Sequence, residues 1–238
     1  MKLSVILPAY NEQDRIKKTL LDVSQFLQKQ SFGYEILVVN DGSKDLTAEV
    51  VNNLVSSIPN LRLIDNKENH GKGYVTKQGM LSASGDVRLF MDADNSTKVD
   101  EVLKMLPMFE QGYDLVIGSR RISGSVIAVH QPWFRDFLGG VFRFIVHILV
   151  PVGVTDSQCG FKAFSALAAR AVFPKQSIYR WAFDVEVLAI ARKFKFKIKE
   201  VPVTWVNDTE SHVKLGGMID MLLEVMEVRL NLWAGKYK

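Results

Sequence analysis

Cysteine is almost absent. Cys159 stands alone among 238 residues, which excludes an intrachain disulfide and points to a reducing compartment. Long apolar runs are missing too. A spanning helix needs about 20 mostly apolar residues, and the most apolar region, WFRDFLGGVFRFIVHILVPVGV, is broken by Arg135, Asp136, Arg143 and His147. The opening MKLSVILPAYNE reaches Asn11 and Glu12 before it supplies the apolar core of a secretion signal. We therefore expect neither a signal peptide nor a transmembrane segment. Basic runs of the kind that mark nucleic-acid binding are lacking, although the net charge is +4 and the pI is near 9.0. That mild surplus suits anionic ligands or a phospholipid surface. No Pro/Gly/Ser-rich linker or internal repeat divides the chain, so one domain over 1–238 is expected. What remains, 47% hydrophobic and 24% charged residues, is the composition of a globular protein that buries a core.

The first half alternates two periodicities. KLSVILPAY, YEILVVND, LRLIDN, VRLFM and YDLVIGS read as strands. Helical spacing fills the intervals: Ile16 to Leu27, Leu46 to Leu54, Gly73 to Ala83, and VDEVLKMLPMF. Repeated βαβ units with Val/Ile/Leu-rich strands imply an α/β fold, a mostly parallel sheet covered by helices on both faces. Past residue 122 the alternation stops. An amphipathic helix over 134–150 leads into TDSQCGFKAF, followed by helical stretches at Ala166–Val172 and Ala182–Lys193. A strand, IKEVPVTWV, and a closing helix, GMIDMLLEVMEVRLNLW, complete the chain.

In open α/β sheets ligands bind outside the carboxyl ends of the strands. Those ends carry PAYNE, NDGS and DADNST, so polar and acidic groups collect where such a fold places a site. Asp92 and Asp94, two positions apart, put both carboxylates on one side of an extended chain. Like charges that close repel each other. A bound cation would explain the pair; a solvated turn or a helix cap would also produce it, and the short motif alone does not choose.

Several motifs in series say more than any one of them. VILPAYNE, VVNDGSKDLT, NHGKG and MDADNST resemble the nucleotide-sugar half of family 2 glycosyltransferases, which have the GT-A fold. DSQCGFKAF, RWAFDVEVLAIA and VPVTWVND resemble the polyprenyl-phosphate branch of that family, dolichyl-phosphate β-glucosyltransferases in particular. The resemblance implies a Rossmann-like GT-A sheet with C-terminal amphipathic helices. It also implies a nucleotide-sugar-binding half at 1–122 and an acceptor-binding half at 123–238. The implied activity is that of an inverting, metal-dependent glycosyltransferase. Its donor would be UDP-glucose, its acceptor a polyprenyl or dolichyl phosphate, and its cofactor Mg²⁺ or Mn²⁺. Its implied place is peripheral, on the cytoplasmic face of a membrane. GDP-mannose as donor, a glycan as acceptor, and a nucleotide-sugar-binding protein without catalysis stay open.

Site residues follow from the same resemblance. Asp94 would be a direct metal ligand, and Asp92 would touch the metal or the ribose. A divalent ion is needed there as a Lewis acid for the leaving diphosphate, and Mg²⁺ often takes only one or two carboxylates plus substrate phosphates. Pro8, Ala9, Tyr10 and Glu12 would line the nucleotide pocket, Asp41 would bond the base or ribose, and Lys72 would lie near phosphate. Arg120 would meet the diphosphate or the acceptor phosphate. Asp184 and Glu186 occupy the family's acidic position in the acceptor half, as orienting groups, as a base, or as partners of Arg180. A lipid phosphate is already anionic and attacks without a general base, so basic residues matter more: Arg135, Arg143, Lys162, Arg180, His212 and Lys214. Asp156 and Gln158 would shape the sugar or acceptor pocket.

Departures from the branch occur at Tyr74, Lys77 and the pair Ser211-His212, where relatives usually carry Ala or Gly, Arg, and Ser-Lys or Ser-Arg. Helix 134–150 sets Asp136, Gly140, Arg143 and His147 opposite Phe137, Leu138, Val141, Phe142, Ile145 and Leu149. The closing helix gathers Asp220, Glu224, Glu227 and Asn231 on one side, with Arg229 among apolar residues on the other. Apolar arcs that broad belong to the core, to an oligomer seam or to a membrane interface.

Overall fold

The computed structural model describes residues 1–129, 133–206 and 215–238. Strands β1 (Lys2–Ala9) and β2 (Gly33–Asp41) are buried on both faces over most of their length, as their continuous apolar sequences require. They alternate with helices α1 (Ile16–Leu27), α2 (Thr47–Val55) and α3 (Lys72–Ser82), and with strands β3 (Leu61–Asn66) and β4 (Val87–Met91). A 3-10 segment (Val99–Lys104), α4 (Leu106–Glu110), β5 (Leu115–Ser119), β6 (Val126–Val129) and α5 (Trp133–Leu149) come next. The chain continues through β7 (Phe161–Ser165), α6 (Ala166–Val172), α7 (Phe183–Lys193), β8 (Ile198–Pro202), β9 (Thr204–Val206) and α8 (Leu215–Trp233).

The main sheet has seven strands in the order β3-β2-β1-β4-β7-β5-β8, and β6 pairs with β9 in a separate two-stranded sheet. The expected mostly parallel α/β architecture is present, with one change: β7 runs antiparallel between β4 and β5. Ile6, Val39 and Phe90 face one buried layer, and Val5, Val38 and Leu89 face the other. At roughly 1.5–3 kcal/mol per fully buried large apolar side chain, these two layers are the main drive for folding.

Two features of this topology build the site. The chain moves outward from β1 through β2 to β3, then returns to place β4 on the other side of β1. The carboxyl ends of β1 and β4 therefore diverge at a switch point, where a crevice forms. β7 begins where β4 ends, with Met91 opposite Phe161, so the residues just before β7 lie beside Asp92.

Several local expectations are corrected. VDEVLKMLPMF is not one helix: Pro107, at the start of α4, has no N–H to continue a helical ladder, and the preceding turn is 3-10. IKEVPVTWV divides at Val203 into β8 in the main sheet and β9 in the small one. In α5, Phe142 and Val146 enter the core, and Leu149 packs against it. Val141, Phe144 and Ile148 of the same helix are exposed. Among the described residues no helix is long and apolar enough to cross a membrane.

Candidate active site

A cleft of 660 Å³ opens at the carboxyl ends of β1, β2 and β4. It gathers Pro8, Ala9, Tyr10, Glu12, Asp41, Lys72, Asp92, Asp94, Arg120 and Gln158 from the sequence-expected set. Arg15, Gly160, Trp181 and Trp205, which sequence reasoning did not single out, line it too.

The loops after β1 and β2 are tied together. Asn11, in the left-handed region at φ 55°, donates its N–H to Ser43 Oγ (2.9 Å) and accepts from Lys44 N through Oδ1 (2.9 Å). Arg15 Nε donates to Glu12 Oε2 at 2.8 Å. Asp41 closes the other side by accepting from His70 N (2.8 Å), Gly71 N (2.9 Å) and Asn69 Nδ2 (3.0 Å). Burial raises its pKa in spite of those bonds. Gly71 has φ +102°, and a Cβ there would stand 2.4 Å from the Tyr179 carbonyl oxygen, so the NHGKG turn admits no larger residue at this point.

The acidic pair sits at the end of β4. Asp92 Oδ1 accepts from Lys72 Nζ at 2.5 Å, and Asp94 Oδ1 accepts from Ser96 N at 2.9 Å. Burial first, and the neighbouring Asp92 charge second, raise the pKa of Asp94. Desolvation works against the Lys72 ammonium, but Asp92, Asp184 and Asp94 more than offset it and hold its pKa above the usual lysine range. Gly160 lets Asp92 lie where it does: a Cβ at 160 would be 2.0 Å from Asp92 Oδ2, and Asp92 N donates to Gly160 O at 3.2 Å. The signal for it was in DSQCGFK, whose glycine needed a reason that the sequence alone did not supply.

Across the cleft Arg120 is held side-on by Asp156. Its Nε reaches Oδ2 at 2.7 Å, its Nη2 reaches Oδ1 at 2.8 Å, and its backbone N–H adds a bond at 3.0 Å. The guanidinium lies 5.4 Å from the centre of the Trp205 ring. Burial would raise the Asp156 pKa, yet Arg120 outweighs it and the net direction is down. Glu200 anchors this arrangement from below, accepting from Thr155 N (2.8 Å) and Asp156 N (3.0 Å).

Other expected residues lie elsewhere. Lys162 is fully buried and donates to Asp184 and to Cys159 O, so it is an internal counter-ion and does not reach an acceptor directly. Burial raises the pKa of Asp184, against the opposing pull of Lys162 and Lys72. Glu186 is also removed from the cleft. It accepts from Ser177 N (3.0 Å), Ser177 Oγ (2.7 Å), Ile178 N (2.8 Å) and Tyr237 OH (2.7 Å), bracing the turn before α7. Arg143 folds back along α5, with Nη1 3.3 Å from where a Cβ on Gly139 would stand, and is not part of the cleft lining. The Arg135 side chain, His212 and Lys214 lie outside the described residues. Cys159 is buried, and burial pushes its thiol up to about 12, which suits packing and not nucleophilic attack.

Comparison with known proteins decides which family the chain belongs to. The model of Glycosyl transferase family 2 matches residues 4–166. The chain belongs to this family. Dolichyl-phosphate beta-glucosyltransferase ALG5C of Trichomonas vaginalis is 39% identical over 249 residues, spanning 98% of this chain and 73% of that protein. The dolichyl-phosphate beta-glucosyltransferase of Dictyostelium discoideum is 37% identical over 251 residues, spanning 99% and 76%. Among solved structures, mannosyl-3-phosphoglycerate synthase from Rubrobacter xylanophilus superposes with a TM-score of 0.72 at 17% identity, over 99% of this chain and 75% of that one. Glucosyl-3-phosphoglycerate synthase from Mycobacterium tuberculosis, in complex with Mn²⁺, UDP-glucose and phosphoglyceric acid, gives 0.68 at 19% identity, over 97% and 79%. These structures show the expected GT-A fold, and the relatives show a glycosyltransferase.

The chemistry of the acidic pair fits a divalent ion whose remaining ligands a substrate would supply. Among the described residues no group of three or more His, Cys, Asp or Glu side chains could hold a metal by itself. Two carboxylates plus diphosphate oxygens make a suitable hard-ligand set for Mg²⁺ or Mn²⁺. The raised pKa of Asp94 marks a carboxylate whose charge a nearby cation would relieve.

Proposed function

We propose that this enzyme moves glucose from UDP-glucose to a dolichyl-type polyprenyl phosphate, with inversion, and with Mg²⁺ or Mn²⁺ held by Asp94 and Asp92. Relatives named dolichyl-phosphate beta-glucosyltransferase match nearly the whole chain, which supports the glucosyl group and the acceptor. One feature of the site carries the choice of a phosphate acceptor. Among the described residues, the three acceptor-half carboxylates that the sequence singles out are engaged: Asp156 by Arg120, Asp184 by Lys162, and Glu186 by its four donors. A hydroxyl acceptor needs a base, whereas a phosphate is ionised already.

In this reading Pro8, Ala9, Tyr10 and Glu12 form the wall for the nucleoside. Asp41, with acceptor capacity left on its carboxylate, faces the base or ribose. When bound, the divalent ion supplies Lewis-acid stabilisation of the leaving diphosphate. Lys72 and Arg120 donate to the same anions; Arg120 spends Nε and Nη2 on Asp156 and keeps its Nη1 hydrogens for phosphate. Gln158 stands beside the sugar or acceptor. The outward apolar rows of α5 and α8 support docking on a lipid surface.

Incubation with Mn²⁺, a panel of nucleotide sugars and polyprenyl phosphate is expected to yield glucosyl-lipid from UDP-glucose. Asp94→Asn should lower that rate by about two orders of magnitude or more, since loss of a metal contact removes several kcal/mol of charge stabilisation. Its melting temperature without metal should not fall, because repulsion with Asp92 is relieved. Undiminished turnover in the variant, or product from GDP-mannose alone, would overturn the reading.

A further inference from the structure

Cations in the cleft are nearly all spent on carboxylates of the same chain. Arg15 pairs with Glu12 at 2.8 Å, Lys72 with Asp92 at 2.5 Å, and Arg120 with Asp156 at 2.7 Å. Arg180 differs. It lines the cleft and is exposed, and among the described residues its side chain forms no ion pair or hydrogen bond. Glu224 of α8 feels its charge only through space.

The position of Arg180 is specific. Its carbonyl accepts from Gly73 N (3.2 Å) and that of Tyr179 accepts from Tyr74 N (3.1 Å), so its backbone is locked onto the start of α3. Its Cγ lies 3.2 Å from where a Cβ on Gly71 would stand, so the side chain crosses the turn that carries Lys72. On its other side, Trp181 N and Ala182 N both donate to Glu224 Oε2 of α8, at 3.0 and 2.8 Å. Arg180 thus stands at the junction between the turn next to the acidic pair and the helix whose outer row is apolar.

A transfer between two phosphates needs an uncompensated positive charge at such a junction. The incoming anion and the donor diphosphate repel each other, and a cation already neutralised by a carboxylate offsets little of that. Arginine adds a planar fork that matches phosphate oxygens in pairs. We propose that Arg180 is the docking group for the acceptor's phosphate and not for the donor's diphosphate. This assignment rests on the phosphate-acceptor reading above and adds to it the residue that receives the acceptor.

The test uses the full chain with Arg180→Gln and Arg180→Lys. At saturating UDP-glucose and Mn²⁺, Arg180→Gln should raise KM about tenfold or more for both polyprenyl phosphate in detergent and a short, water-soluble isoprenyl phosphate, the lysine variant falling between. Loss confined to the long-chain substrate would assign Arg180 to the lipid surface and overturn its phosphate role. Calorimetric Kd for UDP-glucose with Mn²⁺ should stay within about twofold of wild type, and the melting temperature should hold, as befits an exposed side chain. An equal weakening of donor binding, or an unchanged acceptor KM, would overturn the proposal. Should wild type transfer no sugar to either acceptor, the function proposed above fails. Titration of the short isoprenyl phosphate into the protein–UDP–Mn²⁺ complex then still decides for Arg180: weaker binding in Arg180→Gln supports it, and equal binding overturns it.

Discussion

A Cβ at position 160 would stand 2.0 Å from Asp92 Oδ2, closer than side-chain atoms ever approach a carboxylate oxygen without bonding. Gly160→Ala must therefore displace Asp92, and with it the ion pair to Lys72. Overpacking of this kind costs about 1–3 kcal/mol, and here the displaced group belongs to the acidic pair. The variant should bind UDP with Mn²⁺ about tenfold more weakly or worse while remaining folded, as read by calorimetry beside a melting curve. Unchanged affinity would mean that Asp92 is placed by something other than this contact. At this scale the site was partly legible. Asp92, Asp94, Asp41 and Glu12 sit at ends of strands that their own sequence marks, so the crevice could be anticipated. Gly160 could not, because it meets Asp92 across a strand pairing that joins distant parts of the chain.

Strand β7 shows why some elements escape a reading of periodicity. Its five residues FKAFS carry Lys162 at a fully buried position, so neither alternation nor an apolar run marks them. The early strands, long and apolar, were plain. Their pairing rests partly on a polar tie that is also invisible to patterning. Glu35 on β2 accepts from Ser4 Oγ on β1 (2.6 Å), Arg62 Nη2 on β3 (3.0 Å), and Ser84 N (2.7 Å) and Oγ (2.8 Å) ahead of β4. Burial alone would raise its pKa, but these donors lower it from 4.5 to about 2. A carboxyl depressed in the folded state stabilises the fold fully above pH 4.5, and that contribution is lost as pH falls toward 2. Glu35→Gln should cost on the order of 1–3 kcal/mol near neutrality. Denaturant titrations should show the gap to wild type narrowing through that acid window. A gap independent of pH would assign the loss to packing and not to the charge.

For the molecule as a whole, α8 is apolar on its inner and its outer side, with Val225 and Val228 fully buried in the core. Glu224 and Asn231 turn inward, to Trp181 N, Ala182 N and Ser177 Oγ. Ile219, Leu223, Met226, Leu230 and Trp233 form an exposed row. On α5, which packs beside α8, Val141, Phe144 and Ile148 extend the exposed apolar surface. The sequence already showed broad apolar arcs on both helices; which residues faced outward depended on how the helices met the core. A surface of that breadth suits a bilayer, and burying a large side chain contributes roughly 1.5–3 kcal/mol, so a few suffice for attachment. Phe144 and Leu223 are 67% and 60% exposed, so Phe144→Asp with Leu223→Asp should leave the melting temperature nearly unchanged. Wild type should float with liposomes and stay bound at high salt, because the apolar contribution is not screened. The double variant should be released, and its transfer to long-chain polyprenyl phosphate in vesicles should drop about tenfold or more, while a short water-soluble acceptor is served almost as before. The four-three spacing of the α8 row would equally suit a seam with a second copy. A dimer in lipid-free buffer that the double variant splits, with liposome binding unchanged, would assign the surface to self-association and remove the membrane from this account.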